Sequence, residues 1–365
     1  MIYLDNAATT RVLPEAAEAA VHAMCEEFGN PSSLHRMGLE ASHLLEDSRR
    51  TVASALGCLP EEVYFTACGT ESTNISLRGA AHLNRHKKGR IITTEIEHAA
   101  TVNTAKQLAA DGFDVVFLAP DATGHITPEV LSEALTEDTI LLSCQLVNNE
   151  IGTVQPVKQL GKLLKAKAPK ALFHIDAVQG LCRVRLTPKK WNCDLMSVSG
   201  HKIGAPKGIG ALYVKKGSRL RPVSFGGGQE KNIRPGTEGI ANLGAMGLSA
   251  QLLTAESAEN HSRVTLIRDA LLEGLTKLPD ICINSPADAT PYILNFSALG
   301  VRSEIMLHFL EEKGIYVSSG SACAKGGASH VLQAMGLERE RADSAIRLSF
   351  GRYNTPEQVP LFLEA

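Results

Sequence analysis

The sequence SVSGHKIGAPKG, residues Ser197–Gly208, decides the fold and is the starting point for the chemistry. A strand-forming run, Leu195–Ser199, leads into it, and a second run, Gly210–Val214, follows it. Lys202 therefore stands on a glycine-flanked turn between two strands. A lysine amine becomes a nucleophile when a partly desolvated pocket weakens its preference for the charged form. The alternative is an ordinary turn lysine in water, the commoner situation for this residue type.

Short β-rich runs extend from this stretch and alternate with helix-compatible segments. Pro128–Leu135 and Val157–Ala166 carry apolar residues at helical spacing. This alternation predicts an α/β fold with a large domain whose mostly parallel sheet is covered by helices. The predicted strands are Glu62–Thr66, Arg90–Thr94, Val115–Ala119, Thr139–Leu146, Ala171–Ile175, Leu195–Ser199 and Gly210–Val214.

The last third of the chain has a different order of elements. Gly244–Leu275 is typical of one long helix, and the later strands Ile293–Ser297 and Ile346–Phe350 fit a smaller α+β domain. A chain of 365 residues is long enough for two cores. The predicted units are a large domain, 13–245, a small domain, 246–365, and an N-terminal segment, 1–12, that packs with the small domain.

Composition excludes several classes of function. The net charge of −2 and the lack of a long basic run argue against nucleic acid and anionic membrane surfaces as partners. No apolar run approaches a membrane span, and the chain does not start with a basic segment followed by an apolar stretch, so we expect a soluble, cytoplasmic protein. The eight cysteines lack C-x-x-C spacing, which argues against a zinc site or a disulfide framework and favours reduced thiols.

Polar residues follow the predicted strands at the edge where ligands of open α/β sheets bind. Cys68–Ser72 is a glycine turn that enters a helix, and such a helix start suits a phosphate, although Thr70 could simply cap the helix. Asp176 follows a buried strand, where a carboxylate needs a cation or several donors. A protonated pyridine nitrogen would supply that cation; a structural aspartate bound to backbone amides is the alternative.

Two further side chains lie at predicted strand ends. His98 could lie against an aromatic cofactor ring and exchange protons with a substrate, or be an ordinary histidine. Asn149 offers an amide to a phenolic oxygen or a carboxylate, although Asn148 and Asn149 could equally form a turn. A lysine, an aspartate, a histidine and a phosphate turn together meet the requirements of pyridoxal phosphate. No P-loop or complete dinucleotide fingerprint occurs.

A series of short motifs in order carries a resemblance over nearly the whole chain. They are Tyr3–Thr10, Phe28–Ser33, Cys68–Ser72, Asn148–Glu150, Asp176–Gln179, Ser199–Lys202, Arg234–Thr237, Ser318–Cys323 and Arg347–Ser349. Through them the chain resembles the cysteine desulfurases of the NifS and IscS type, within the class V aminotransferase superfamily of fold-type-I pyridoxal phosphate enzymes. The resemblance implies the conversion of L-cysteine to L-alanine, with the sulfur passed to an enzyme cysteine.

The resemblance also implies a role for each candidate residue. Lys202 would form a Schiff base with the cofactor, Asp176 would pair with its pyridine nitrogen, and His98 would stack on its ring. Gln179 and Asn149 would address the phenolic oxygen and the nearby substrate. The residues that would hold the phosphate are Gly69, Thr70, Ser199 and His201.

Two more roles follow from the family. The position of Thr237 reaches the phosphate of the neighbouring subunit, which implies a homodimer. Arg347 would bind the substrate carboxylate, and the strand pattern agrees, because Ile346, Leu348 and Phe350 alternate with it. Without the resemblance, a solvent-facing strand arginine is the simpler interpretation.

Cys323 distinguishes a desulfurase from an aminotransferase. It stands in a serine- and glycine-rich segment that is typical of a loop, and the reaction needs a thiolate that meets the substrate and then carries a persulfide outward. The alternative is a buried, inert cysteine. The expected acceptor is an iron–sulfur scaffold or a tRNA-thiolation protein. Rival functions are selenocysteine lyase, cystine lyase, aminotransferase and, from another class, a non-catalytic scaffold.

Overall fold

The computed structural model describes residues 1–319 and 329–365. Within these residues the strands are β1 (Ile2–Tyr3), β2 (Val63–Thr66), β3 (Arg90–Thr94), β4 (Asp114–Leu118), β5 (Thr139–Gln145), β6 (Leu172–Asp176), β7 (Leu195–Ser199), β8 (Gly210–Val214), β9 (Ile281–Ile283), β10 (Ile293–Ala298), β11 (Ile315–Tyr316), β12 (Ser318–Ser319) and β13 (Ala345–Ser349). The helices are α1 (Pro14–Cys25), α2 (Arg36–Leu56), α3 (Gly69–Leu83), α4 (Ala99–Ala110), α5 (Pro128–Ala134), α6 (Val157–Lys167), α7 (Ile240–Ala255), α8 (Ser257–Leu275), α9 (Ser303–Glu312), α10 (His330–Ala334), α11 (Arg339–Asp343) and α12 (Gln358–Glu364).

The main sheet has seven strands in the order β2-β8-β7-β6-β5-β3-β4. Its pairs from β7 through β6, β5 and β3 to β4 are parallel, whereas β8 runs antiparallel to both β7 and β2. Every strand predicted for this sheet is present at nearly its predicted ends. The prediction of an α/β fold with a mostly parallel sheet is therefore confirmed.

The central strands form because they are buried on both faces. All residues of β7 and β8 are buried, and a strand covered on both sides favours apolar residues on both faces. The buried Ser197 of β7 is accommodated by hydrogen bonds to His174 and Thr73. Helix α3 packs against β7 and β8, and α7 packs against α1 and α2. The core of this region therefore lies beneath the strand ends that carry the candidate site.

A second sheet has the antiparallel order β12-β13-β10-β9. Its own hydrophobic cluster includes Ile346, Leu348 and Phe350, as the strand pattern predicts, together with Ile2 and Leu4 of the N-terminal segment. Strand β1 pairs in parallel with β11. The predicted boundary at residues 245 and 246 falls inside α7, and the division into domains stays a prediction.

The single helix predicted over Gly244–Leu275 is wrong, because the structure contains two helices that meet at Glu256. This residue has φ −86° and ψ 0°, and its carboxylate accepts from Nη2 of Arg352 at 2.7 Å. The two helices bury their apolar residues in different hydrophobic clusters. A straight helix cannot reach both clusters, so the packing bends the chain.

Other features bear on the predictions from composition. In the described parts of the chain, no helix combines the length and apolar character that a membrane crossing requires. Across residues 1–319 and 329–365, no group of three or more His, Cys, Asp or Glu side chains is arranged to hold a metal ion. The described cysteines are all free thiols.

Candidate active site

The carboxyl ends of four parallel strands bring the main candidates to one edge of the sheet. Asp176 is the last residue of β6, and it lies beside Gln145 of β5 and Ser197 of β7. The loops that leave β3, β5 and β7 at this edge carry the other candidates. These are His98, Asn149 and Lys202.

Lys202 lies on a short helical turn, Gly200–Lys202, directly after β7. Its Nζ donates to the carbonyl oxygens of Ala7 and Ala8, at 2.5 and 2.6 Å. Burial, with the positive charges of Arg183 and Arg347, lowers the pKa of Lys202 to about 7, against the pull of two carboxylates. A large share of this amine is neutral at pH 7, as a nucleophile requires.

Asp176 is 8% exposed and accepts one hydrogen bond, at 3.0 Å, from the backbone N–H of Val178. Burial raises the pKa of this carboxyl, whereas the hydrogen bond and the charges of His98 and Lys202 oppose the rise. A cation placed against Asp176 would therefore be held strongly.

His98 is the N-cap residue of α4, and its Nδ1 accepts the backbone N–H of Ala100 at 3.1 Å. The neutral ring therefore carries its proton on Nε2. His98 is exposed, yet desolvation lowers the pKa of its ring, and the charge of Asp176 opposes this effect. A neutral imidazole is available for stacking.

The predicted phosphate residues surround the N-terminus of α3. Gly69 begins the helix, and a Cβ on it would lie 2.7 Å from Cγ2 of Val178, so the backbone approaches closely here. The buried Oγ of Ser199 has no hydrogen-bond partner among the described residues. Burial and Lys202 lower the pKa of His201 to about 4, which leaves it neutral. With the exposed Thr70, these groups form a cradle that fits an anion.

Gln179 and Arg347 contact the N-terminal segment of the chain, and Arg347 also contacts Asn149. Gln179 Nε2 donates to the carbonyl of Ala7 at 2.9 Å. Arg347 is buried, donating from Nη1 to the Asn149 carbonyl at 2.9 Å and from Nη2 to Oδ1 of Asp5 at 2.8 Å, and its Nε has no partner in the described chain. The solvent-facing alternative for Arg347 is therefore wrong.

Two predicted residues are not placed in this cluster. Thr237 is exposed, and within residues 1–319 and 329–365 no hydrogen bond joins it to another predicted site residue. Its proposed role in a neighbouring subunit stays a prediction. Cys323 lies outside the described residues. Ser318 pairs with Arg347 in the β12–β13 ladder, so the described chain reaches the site shortly before Cys323.

The sequence reasoning missed several groups that contact the candidate lysine or arginine. Asp5 and the carbonyls of Ala7 and Ala8 belong to a motif that was noted but given no role. Arg183 was also missed, although it follows Gln179 by four positions and donates to its Oε1 at 2.6 Å. Backbone carbonyls carry no sequence signal, so only Asp5 and Arg183 could have been found.

Comparison with known proteins identifies the family of the chain. The profile of the class-V aminotransferase family matches residues 2–362. The chain belongs to this family. Over its whole length it is 42% identical to the cysteine desulfurase IscS of Methanosarcina thermophila and 39% identical to that of Clostridium botulinum, covering 90% and 92% of those family members.

A solved NifS-like protein has the same fold. It superposes with a TM-score of 0.95 at 38% identity, and the match covers 100% of this chain and 97% of that one. The family resemblance drawn from the short motifs is therefore confirmed, and so is the fold-type-I architecture. The grouping of the candidate side chains at one edge follows from the order of the strands in the sheet.

Proposed function

We propose that the chain is a cysteine desulfurase that uses pyridoxal 5′-phosphate to convert L-cysteine to L-alanine. The observation that carries the proposal is the Lys202 amine, whose pKa is lowered to about 7 and which interacts with the charge of the buried Asp176 carboxyl. The chain that contains this amine is similar to cysteine desulfurases along its whole length. The sulfur passes to Cys323 as a persulfide and then to an acceptor protein. Iron–sulfur scaffolds and tRNA-thiolation proteins are the acceptors that we propose.

The described residues fit the cofactor at three points. The orphaned Oγ of Ser199 and the close approach at Gly69 suit a phosphate at the start of α3. In the described chain Asp176 accepts from the Val178 N–H and pairs with no cationic side chain, so it suits a protonated pyridine nitrogen. His98 offers a neutral ring for stacking. The remaining contacts that we propose are Thr70, His201 and the neighbouring subunit's Thr237 position for the phosphate, and Gln179 and Asn149 for the phenolic oxygen.

The chain's own groups then divide the work. When bound, the cofactor supplies an aldehyde for the lysine amine and a ring that withdraws electrons from the substrate α-carbon. Neutral Lys202 Nζ accepts the α-proton of L-cysteine. His98 carries an exchangeable proton on Nε2, and the guanidinium of Arg347 holds the substrate carboxylate.

The sulfur step balances without an external oxidant. The Cys323 thiolate attacks the substrate sulfur, an S–S bond forms and the C–S bond breaks. The electron pair of the broken bond stays with the carbon side, whose β-carbon takes a proton as alanine forms. The enzyme is left with a persulfide.

Product analysis of purified protein with L-cysteine tests this function. We expect the parent protein to form alanine together with an enzyme-bound sulfur species. Lys202→Ala should form neither product, and Cys323→Ala should release no sulfide. Cys25→Ala is the matched control, because Cys25 is an exposed free thiol with no proposed role in the reaction. A keto acid product would indicate transamination, and desulfuration at the normal rate by Cys323→Ala would overturn the assignment of Cys323.

We also propose that the enzyme is a homodimer in the cytoplasm. The support is the exposure of Thr237, which bonds to no other site residue of its own chain. Light scattering after gel filtration should give twice the chain mass of 39.0 kDa. A monomer that binds the cofactor fully would exclude a role for Thr237 across subunits.

A further inference from the structure

Arg183 is a half-buried cation in contact with the candidate site. Its Nη2 donates to the carbonyl oxygens of Lys202 and Asn6, at 3.2 and 3.4 Å, and its guanidinium carbon lies 5.5 Å from the centre of the Tyr292 ring. Desolvation lowers the pKa of Arg183 to about 10. No carboxylate in the described chain lies within ion-pair distance of it. A desolvated charge without a counter-charge is unfavourable and calls for an explanation.

The first consequence concerns the side-chain amide of Gln179. A guanidinium has only donors, so the Gln179 atom that lies 2.6 Å from Nη1 of Arg183 must be the oxygen. The amide nitrogen is then fixed towards the Ala7 carbonyl, at 2.9 Å, and keeps one N–H free. The same carbonyl accepts from Nζ of Lys202. Arg183 therefore holds Gln179 as a donor beside the amine.

The second consequence concerns charge. The groups that act on the Lys202 amine are Arg183, Arg347, Asp5, Asp176, His98 and His201. Arg347 is paired directly with Asp5, at 2.8 Å, so part of its charge is compensated. Arg183 has no carboxylate partner among the described residues. Its positive charge lowers the pKa of the amine without such compensation.

We propose that Arg183 is a positioning residue of this site: its planar guanidinium keeps Gln179 in the donor orientation, and its uncompensated charge favours the neutral amine at Lys202. The inference rests on the proposed function, because it assigns Arg183 a role at that site. The ionisation of Lys202 can be measured whether or not the protein is a desulfurase. Replacing an arginine with a purely structural role would change stability alone. Replacing Arg183 should also change the pKa of Lys202 and the orientation of the Gln179 amide.

The first experiment labels the full-length chain, stripped of cofactor, with an amine-selective reagent at a series of pH values and maps Lys202 by mass spectrometry. In Arg183→Met the labelling midpoint should rise by roughly one pH unit, the effect of removing one nearby like charge. Arg183→Lys should stay near the parent, because it keeps the charge. Arg185→Met is the matched control, since Arg185 is exposed two positions away. An unchanged midpoint in Arg183→Met overturns the charge role.

The second experiment measures pyridoxal phosphate affinity by absorbance, using Arg183→Lys and Gln179→Ala alone and combined. A lysine cannot reproduce the fixed donor geometry of arginine, so Arg183→Lys should weaken binding several-fold. It should add nothing in the Gln179→Ala background. Additive losses would overturn the orienting role. If Arg183→Met fails to fold, Arg183→Gln takes its place in the labelling series. Failure of all variants and the parent to bind cofactor would refute the proposed function, while the labelling result stands independently.

Discussion

At the scale of single residues, the strand edge concentrates ionisable groups where water is scarce. Glu97, next to His98, is completely buried, and its Oε1 accepts from Thr94 Oγ1 at 2.9 Å and from the Gln145 backbone N–H at 2.8 Å. Its Oε2 has no partner in the described residues. Burial, with Asp176 adding to it, raises the pKa of Glu97 to about 8. This carboxyl is therefore protonated at neutral pH.

This protonation predicts a pH dependence of stability. Folded Glu97 keeps its proton up to about pH 8, whereas an unfolded glutamate releases it near about pH 4.3, so the folded state binds more protons and stability falls as pH rises through this window. Glu97→Gln keeps an acceptor for Thr94 and Gln145 but cannot titrate. We expect the free energy of unfolding of Glu97→Gln to fall less steeply with rising pH than that of the parent protein. Urea titrations at several pH values measure both. Glu129→Gln on exposed helix surface is the control, and parallel curves for all three proteins would contradict the prediction.

At the scale of elements, one buried ion pair ties α2 to the segment that leads to Thr237. Arg49 donates from both terminal nitrogens to Glu230, at 2.8 and 2.9 Å, and Glu230 also accepts the backbone N–H of Phe65 in β2. The side chains of Arg49 and Glu230 are 9% and 2% exposed. The helix, the strand and the turn at Gln229–Asn232 are therefore held at a common point.

Removing one member of this pair should be strongly destabilising. Glu230→Ala removes the buried, doubly bonded partner of Arg49 and leaves only Glu46, whose side chain is half exposed and lies 3.2 Å from Nε. We expect a loss of about 3 kcal/mol in the free energy of unfolding. The control is Glu273→Ala, which breaks the exposed Lys277 pair on α8 and should change stability by less than about 0.5 kcal/mol. Similar losses in both variants, measured by denaturant unfolding, would show that the Arg49 pair is not the anchor.

At the scale of the whole molecule, the N-terminal segment joins the second sheet to the catalytic edge. Asp5 forms a parallel bridge with Ser349 at the end of β13, and the chain then passes Ala7 and Ala8 across the site. Asp5 contacts Arg347 and favours the charged form of Lys202. The amine is therefore tuned by residues almost two hundred positions away in the sequence.

This arrangement predicts an effect opposite in sign to that of Arg183→Met. Asp5→Asn keeps the size of the side chain but removes a negative charge, so the pKa of Lys202 should fall by roughly half a unit to one unit. Labelling of Lys202 against pH measures the change. Glu15→Gln, on α1, should leave the midpoint where it is. A rise of the midpoint in Asp5→Asn would contradict the electrostatic account.

The strand predictions succeeded where burial on both faces imposes a simple pattern. Leu195–Ser199 and Gly210–Val214 are present as predicted, because short, mainly apolar runs between turns have few other ways to be covered. The helix prediction at Gly244–Leu275 failed because both of its halves are good helix formers, and the bend at Glu256 depends on two separate cores. Local propensity contains no information about which core a segment will join.

The amino-acid sequence by itself determined the order of strands and helices, the chemical types at the strand ends and, through its motifs, the family. Only the tertiary structure decided which groups act on the Lys202 amine: two backbone carbonyls accept its hydrogen bonds, and the charges of Arg183, Asp5 and Arg347 shift its pKa. The physical reason is that periodicity reports burial, which is a property of each segment, whereas pKa values and hydrogen-bond orientation depend on distances between segments far apart in the chain.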